Sequence, residues 1–368
     1  MAPTIIFIKN RMIDYIIPWL NLIAKEKDLK MLFVRDNKNN IKNNFNNIHF
    51  NYETVSYFKI FGKYGVSFPA IIKLLFKKYD IVVSSDLHTL ETIASFFIVK
   101  IRNKKFIPWV ETFEWPRAPR SKLLQPFVKL IARRSDAIMV VGTKAKGYMM
   151  SLGANGDKIF ITPYTSLDYP IKKFDLKIPR NKQVVLYLSR IVRYKGLDYL
   201  IKAFSKLENE KKDVFLIIAG NGPFKHEIKN LISELKMRNY LFIDRRISND
   251  EKGYLYFKSD VFVLPSTFQD YDADCWGLVL NEAMSYGKPV ISTDATGSAQ
   301  DLIKQGINGY MVKQKNVEEL YNALNIILSD KELKEKMGRE SKEIIENDFT
   351  YEKMSQGFVE AINYVASF

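Results

Sequence analysis

The sequence predicts two α/β domains of the doubly wound kind. Three observations carry this. At 368 residues the chain exceeds one ordinary α/β domain and suits two. Short apolar runs of strand length alternate with longer helical segments twice along it. Between the two alternations, Asp168 to Lys182 holds Pro170, Pro179 and several charges, which marks a linker. The expected domains are therefore 1–172 and 173–350, followed by a last segment, 351–368.

In the first half the expected strands are Thr4–Ile8, Met31–Val34, Ile81–Ser84, Phe106–Val110, Ala137–Val141 and Ile159–Thr162. They are almost wholly apolar, which fits a parallel sheet covered on both faces. The Asn-rich stretch 37–47 reads as an exposed loop. In the second half, strands are expected at Val184–Leu188, Val214–Ala219, Leu241–Ile243, Val261–Pro265 and Pro289–Ser292. Helices are expected at Leu197–Leu207, Pro223–Met237 and from Leu278. In Tyr351–Phe368, Met354, Phe358, Ile362 and Val365 recur at helical spacing.

Composition narrows the class. Apolar residues make up 47% and aromatics 13%, enough to fill two cores. The single cysteine, Cys275, rules out a disulfide framework and fits a reducing compartment. The first residues lack the features of a signal peptide. No apolar run reaches the roughly 18–20 residues that span a bilayer. A cytoplasmic protein, or one lying on the cytoplasmic membrane face, is expected.

The net charge of +15 is unevenly placed. Residues 1–172 hold 27 Lys and Arg against 13 Asp and Glu, and residues 173–368 hold 29 against 28. The basic half points to an anionic partner: a membrane surface, a phosphorylated lipid or nucleic acid. Two of its segments are amphipathic. In Lys122–Arg134, Lys122, Gln125, Lys129 and Arg133 oppose Leu123, Leu124, Phe127, Leu130 and Ile131, and Ala70–Lys78 is a shorter version. Such helices suit a membrane interface and equally suit packing on their own sheet. No nucleic-acid-binding motif accompanies the charge, so nucleic acid ranks below the other partners.

The second half carries three elements in order. Leu188-Ser-Arg190-Ile-Val-Arg193-Tyr-Lys195-Gly196 follows a strand and opens a helix, where ligands bind in such sheets. An Arg clamps phosphate oxygens with its planar fork and a Lys supplies a mobile charge. Arg193 reads as solvent-exposed. Ile217-Ile-Ala-Gly220-Asn-Gly222-Pro223 brings a strand to a helix start, with glycines that permit close backbone approach and a proline suited to a first helical turn. It does not meet the dinucleotide pattern. Asp274-Cys-Trp276-Gly277-Leu278-Val279-Leu-Asn-Glu282 places one acid at a helix start and a second two turns in.

These elements resemble the C-terminal half of the GT-B glycosyltransferases called family 4, or glycosyl transferases group 1. The resemblance implies two Rossmann-like domains facing across a cleft, with a C-terminal helix crossing back. It implies a retaining, metal-independent hexosyltransferase whose donor is a UDP-sugar or GDP-sugar and which needs no further cofactor. It assigns Arg190 and Lys195 to the donor pyrophosphate and Asp274 to the sugar. Gly220, Gly222, Pro223, Trp276, Gly277, Leu278 and Val279 go to the donor pocket, Ile247 to the base and Glu282 to the ribose. Asp274 departs from the family's glutamate.

Residues 1–135 resemble the family only in outline. Where relatives carry a histidine, Glu114 stands here, with Glu111 the second candidate for orienting an acceptor hydroxyl. His88 ends a strand and fits a structural or a catalytic role. Lys9-Asn-Arg11 replaces the paired glycines of relatives, and Trp109, Phe113 and Trp115 fit sugar stacking or core packing. The Asp270/Asp272 and Asp272/Asp274 pairs match D-x-D, but their position argues against a metal. The charge of the first half and its amphipathic helices point to a lipid-linked or surface-glycan precursor as the acceptor. A nucleotide-sugar epimerase, a nucleic-acid binder and a non-catalytic nucleotide-sugar binder are the alternatives.

Overall fold

A computed structural model describes residues 3–34, 47–61, 64–114, 121–269 and 273–367. The stretch 37–46, Trp115 and Asp270–Asp272 lie outside them. The chain divides into two compact units, Met1–Tyr164 with Thr350–Phe368, and Thr165–Phe349. The expected linker, 168–182, lies at the start of the second unit.

The first unit is built on strands β1 (Thr4–Lys9), β2 (Asp28–Phe33), β3 (Asn51–Thr54), β6 (Ile81–Ser85), β7 (Lys105–Val110), β8 (Ile138–Val140) and β9 (Ile159–Ile161), with a hairpin of β4 (Phe58–Phe61) and β5 (Tyr64–Val66). The sheet order is β3-β2-β1-β6-β7-β8-β9, with every pairing parallel. The order reverses between β1 and β6. Its helices are α1 (Ile17–Glu26), α2 (Phe68–Phe76), α3 (Leu90–Ile101), α4 (Ser121–Arg134) and α5 (Thr143–Ser151).

The second unit has β10 (Gln183–Leu188), β11 (Val214–Ala219), β12 (Tyr240–Ile243), β13 (Val261–Leu264), β14 (Val290–Thr293) and β15 (Gly309–Val312). Its order, β12-β11-β10-β13-β14-β15, is again all parallel and reverses between β10 and β13. The helices are α6 (Leu197–Glu210), α7 (Lys225–Glu234), α8 (Asn249–Lys258), α9 (Val279–Ser285), α10 (Ala299–Leu302), α11 (Val317–Ser329) and α12 (Lys331–Asp348). Strand β11 is buried at every position, as a central strand covered on both faces must be.

The last helix, α13 (Tyr351–Ala366), belongs to the first unit and packs on α1, β8 and β9. Its Phe358 is fully buried and stacks on Phe7 at 6.1 Å, with Trp19 edge-on at 5.7 Å. Without this helix Phe7 and Trp19 would lose a neighbour at the centre of the core. Trp109 joins the same cluster and donates from Nε1 to Thr162 Oγ1 at 2.8 Å. It is a core residue, not a sugar platform.

Candidate active site

The switch point of the second sheet assembles the site. The loop after β10 turns through a short 3-10 segment, Arg193–Lys195, and ends at Gly196 in the left-handed region (φ 65°). A Cβ at Gly196 would lie 1.8 Å from the carbonyl oxygen of Pro265, just past β13. Only glycine allows this approach. The Thr267 N–H donates to Tyr194 O at 2.7 Å, so the two loops are locked together.

That lock delivers Lys195 to Asp274. Its Nζ lies 2.5 Å from Asp274 Oδ2, and both side chains are under a tenth exposed. Ser266 Oγ donates to the same oxygen at 2.8 Å. A lysine and an aspartate 79 residues apart thus form a nearly dry ion pair at the carboxyl ends of β10 and β13. Such a pair is maintained only because each charge compensates the other. The sequence reading gave the two residues separate ligand contacts; the structure couples them directly.

Arg190 is exposed on the same loop. Its Nη2 donates to the hydroxyl of Tyr194, four residues further along the loop, which orients the guanidinium. Arg193 instead pairs with Glu227 at 3.4 Å over the Phe224 ring and is mostly exposed.

The Gly220–Phe224 loop docks on the Arg190 loop. Ile191 N–H donates to Asn221 O, and Phe224 N–H to Ile191 O. A Cβ on Gly222 would come 2.1 Å from Ile191 O, so this glycine brings backbone to backbone. Pro223 is exposed and lies two residues before α7, which starts at Lys225, so it stands in the preceding turn and not at the first helical position. Asp244 accepts from Asn221, Lys225 and Lys229, and the Lys229 ammonium holds its carboxyl below the ordinary value. Ile247 is buried behind this loop.

Gly277 precedes α9 with φ 84°, and Leu278 and Val279 are half-buried. The Trp276 side chain is buried, donating from Nε1 to Asn281 Oδ1 at 2.8 Å, and its carbonyl accepts from Ser298.

Glu282 sits in a second buried cluster. Tyr256 OH donates to Oε2 at 2.6 Å, while Lys252 Nζ and Tyr169 OH both lie 3.0 Å from Oε1. The carboxylate is 2% exposed. Its charge is met inside the protein by Lys252, and it fastens the residues just after the unit boundary onto α8 and α9.

The first unit has its own pair. Lys9, at the end of β1, is 5% exposed; its ammonium is 3.2 Å from Glu111 Oε1 and 4.4 Å above the Trp109 ring. The Glu111 side chain is 31% exposed and therefore reachable. Burial and then the Glu111 charge push the phenols of Tyr15 and Tyr164 upward. Glu114 lies near Tyr148, whose phenol burial raises, with the Glu114 charge adding to it. The Tyr148 hydroxyl is 2.9 Å from His88 Nε2, and burial depresses His88 to about 4. Phe113 carries the Lys144 ammonium 5.1 Å from its ring centroid.

Among the described residues no group of three His, Cys, Asp or Glu is placed to hold a metal, and no helix is long and apolar enough to cross a membrane. Tyr194 lay within the Arg190–Gly196 turn, but nothing in its spacing marked it as the partner of Arg190. Ser266, as the second residue past the apolar β13 run, carried a weak signal. Tyr169 and Lys252, 113 and 30 residues from Glu282, carried none.

Two parallel Rossmann-like sheets, with the last helix returned to the first, define a GT-B fold. Solved structures agree: Anabaena HepE in complex with UDP and glucose superposes with a TM-score of 0.74 at 19% identity, covering 98% of this chain and all of that one. Sucrose-phosphate synthase from Thermosynechococcus elongatus superposes at 0.75 and 17% identity over the full length of both. Residues 168–344 match the family model described as Glycosyl transferases group 1. The chain has the GT-B fold, its residues 168–344 are similar to the glycosyl transferases group 1 family, and that stretch contains every donor-site candidate named above.

Among curated relatives, the Bacillus subtilis poly(glycerol-phosphate) alpha-glucosyltransferase is 27% identical over 206 residues, 56% of this chain and 29% of that protein. The Mycolicibacterium smegmatis GDP-mannose-dependent alpha-(1-6)-phosphatidylinositol monomannoside mannosyltransferase is 30% identical over 152 residues, 41% of this chain and 40% of that one. The matched stretch spans half or less of the first curated relatives.

Proposed function

We propose that the protein transfers a hexose from a UDP-sugar or GDP-sugar to a glycan or lipid-linked acceptor, retaining anomeric configuration and needing no metal. The observation that carries this reading is the buried Lys195–Asp274 pair beside Arg190 at the switch point of the second sheet. A donor diphosphate entering there meets Arg190 first. Lys195 is then drawn to the phosphate oxygens, and Asp274 is released from it to accept a sugar hydroxyl. The two cations stabilise the charge that grows on the departing nucleotide. The N–H groups of Asn221 and Gly222 and the backbone at 276–279 stand beside it, and Ile247 backs the base. Glu282 reaches the ribose only by exchanging a contact with Tyr169 or Lys252.

In the first unit the Lys9 ion pair and partial exposure support Glu111 over Glu114 as the carboxylate that orients the acceptor hydroxyl. The excess charge of that unit supports a phosphorylated, lipid-linked acceptor and association with an anionic cytoplasmic membrane face.

The test is a thermal-shift panel of UDP, GDP, ADP, TDP and their sugars, with and without EDTA, followed by assay of donor consumption. A shift for one nucleotide that persists in EDTA is expected. No shift for any nucleotide overturns the donor site. Steeply salt-dependent binding of DNA or RNA instead would favour a nucleic-acid protein. Nucleotide-sugar binding without turnover on any acceptor would leave a non-catalytic binder.

A further inference from the structure

Helices α2, α3 and α4 of the first unit lie side by side, and each is apolar on two stripes where one suffices for packing. In α4 the buried stripe is Val128, Ile131 and Ala132, while Leu123, Phe127 and Leu130 remain exposed at 76%, 42% and 37%. The sequence reading set Leu123, Phe127 and Ile131 on one face; the structure divides them between core and solvent. In α2, Ala70 and Leu74 are buried, while Phe68, Ile72 and Phe76 are exposed, Phe76 at 80%. Helix α3 buries Ile93, Phe96 and Val99 and exposes Leu90, Phe97 and Ile101, the last at 80%.

In each helix the exposed residues recur at helical spacings of three, four or seven positions, so they form a second face and not scattered singles. Phe97 and Phe127 are in ring contact at 6.2 Å, which joins the stripes of α3 and α4. Exposed apolar surface of this extent marks an interaction site. Lys77 and Lys78 follow α2, and Lys122, Lys129 and Arg134 stand exposed on α4.

We propose that the α2–α3–α4 face is a docking surface for an anionic lipid bilayer, with the apolar stripes entering the headgroup boundary and the flanking cations meeting lipid phosphates. The choice of occupant rests on charge. A second copy of this chain would bring the same basic half against itself, at a repulsive cost, whereas an anionic leaflet complements it. Apolar insertion and charge attraction act together at such an interface. The proposal rests on the membrane association stated above and gives it a location.

The test is co-sedimentation of the full chain with phosphatidylcholine vesicles, with and without phosphatidylglycerol, at low and high salt. The wild type is expected to bind the anionic vesicles and to lose part of that binding in high salt. The variant Phe76→Glu/Ile101→Glu/Leu123→Glu is expected to lower partitioning about tenfold or more, with its melting temperature and nucleotide shift unchanged. The single variant Ile101→Glu gives a smaller loss and guards against misfolding of the triple one. Equal binding by wild type and both variants overturns the face and leaves membrane association resting on charge alone. Absence of wild-type binding at low salt overturns both. A wild-type dimer that the variants dissociate, without vesicle binding, overturns the lipid as occupant. Loss of nucleotide binding in the wild type would bear on the donor site and not on this surface.

Discussion

The two units use one architecture and one device in different ways. Each has a parallel sheet that reverses at its first strand, and each places a lysine against an acid at that reversal. In the second unit the pair is Lys195 and Asp274, both sealed, with Ser266 as a further donor. In the first it is Lys9 and Glu111, with the lysine sealed and the carboxylate a third exposed. The second unit is near charge balance and the first is strongly basic. Large exposed apolar side chains also concentrate in the first: Phe76, Ile101 and Leu123 are each more than three-quarters exposed, whereas Ile171, at 54%, is the most exposed of the second unit's. A sealed pair suits a fixed ligand group such as a diphosphate. An open carboxylate on a basic, apolar-faced unit suits an acceptor that varies and a surface that presents it.

The hardest test of this contrast is Lys195→Ala. Turnover is expected to fall about 10²–10³-fold, by loss of charge stabilisation at the leaving group. With Asp274 left buried and unpaired, a stability loss of about 3–5 kcal/mol is expected, read by urea denaturation. Lys195→Ala/Asp274→Asn should recover stability without activity. A Lys195→Ala variant as stable as wild type would show that the pair is not sealed in solution.

Glu111→Gln comes next. If Glu111 acts on the acceptor hydroxyl, turnover drops about 10²-fold while the nucleotide thermal shift stays put. The same loss in Glu114→Gln, with Glu111→Gln active, would move the role three residues along.

His88 sharpens the contrast through pH. Burial holds its folded-state value at about 4, against an ordinary value of 6.5. Between these values the unfolded chain binds a proton that the folded chain refuses, so stability rises with pH there. Falling from pH 6.5 to 4 should cost about 3 kcal/mol, and His88→Gln should flatten that slope in denaturant titrations. An unchanged slope would place the His88 ring in water.

The smallest effect is expected at α8, distant from both pairs in role. Ser248 caps it, accepting from Glu251 N–H while the Glu251 carboxylate accepts from Ser248 N–H. Beside Arg245, that carboxylate is held down at about 2. Ser248→Ala should cost about 1 kcal/mol and leave turnover untouched. A large loss of activity would tie the 244–248 loop to the donor more closely than its burial implies.

Periodicity and punctuation by themselves determined the two doubly wound sheets, the helical character of the last segment, and the position of the Arg190–Gly196 and Asp274–Glu282 elements. They do so because strand and helix repeats, glycine turns and residue order are local properties. The charge asymmetry was equally legible, since it needs only counting. Tertiary structure alone decided which charges meet. Lys195 and Asp274 are joined because Gly196 lets its loop press on Pro265, 69 positions further along the chain. Glu282 is enclosed because Tyr169, Lys252 and Tyr256 converge on it from separate segments. The amphipathic stripes of α2, α3 and α4 could be read as apolar from sequence, but only packing assigned one stripe of each to the core and left the other facing solvent. Long-range contacts of this kind depend on how loops close in three dimensions, which no spacing within the chain encodes.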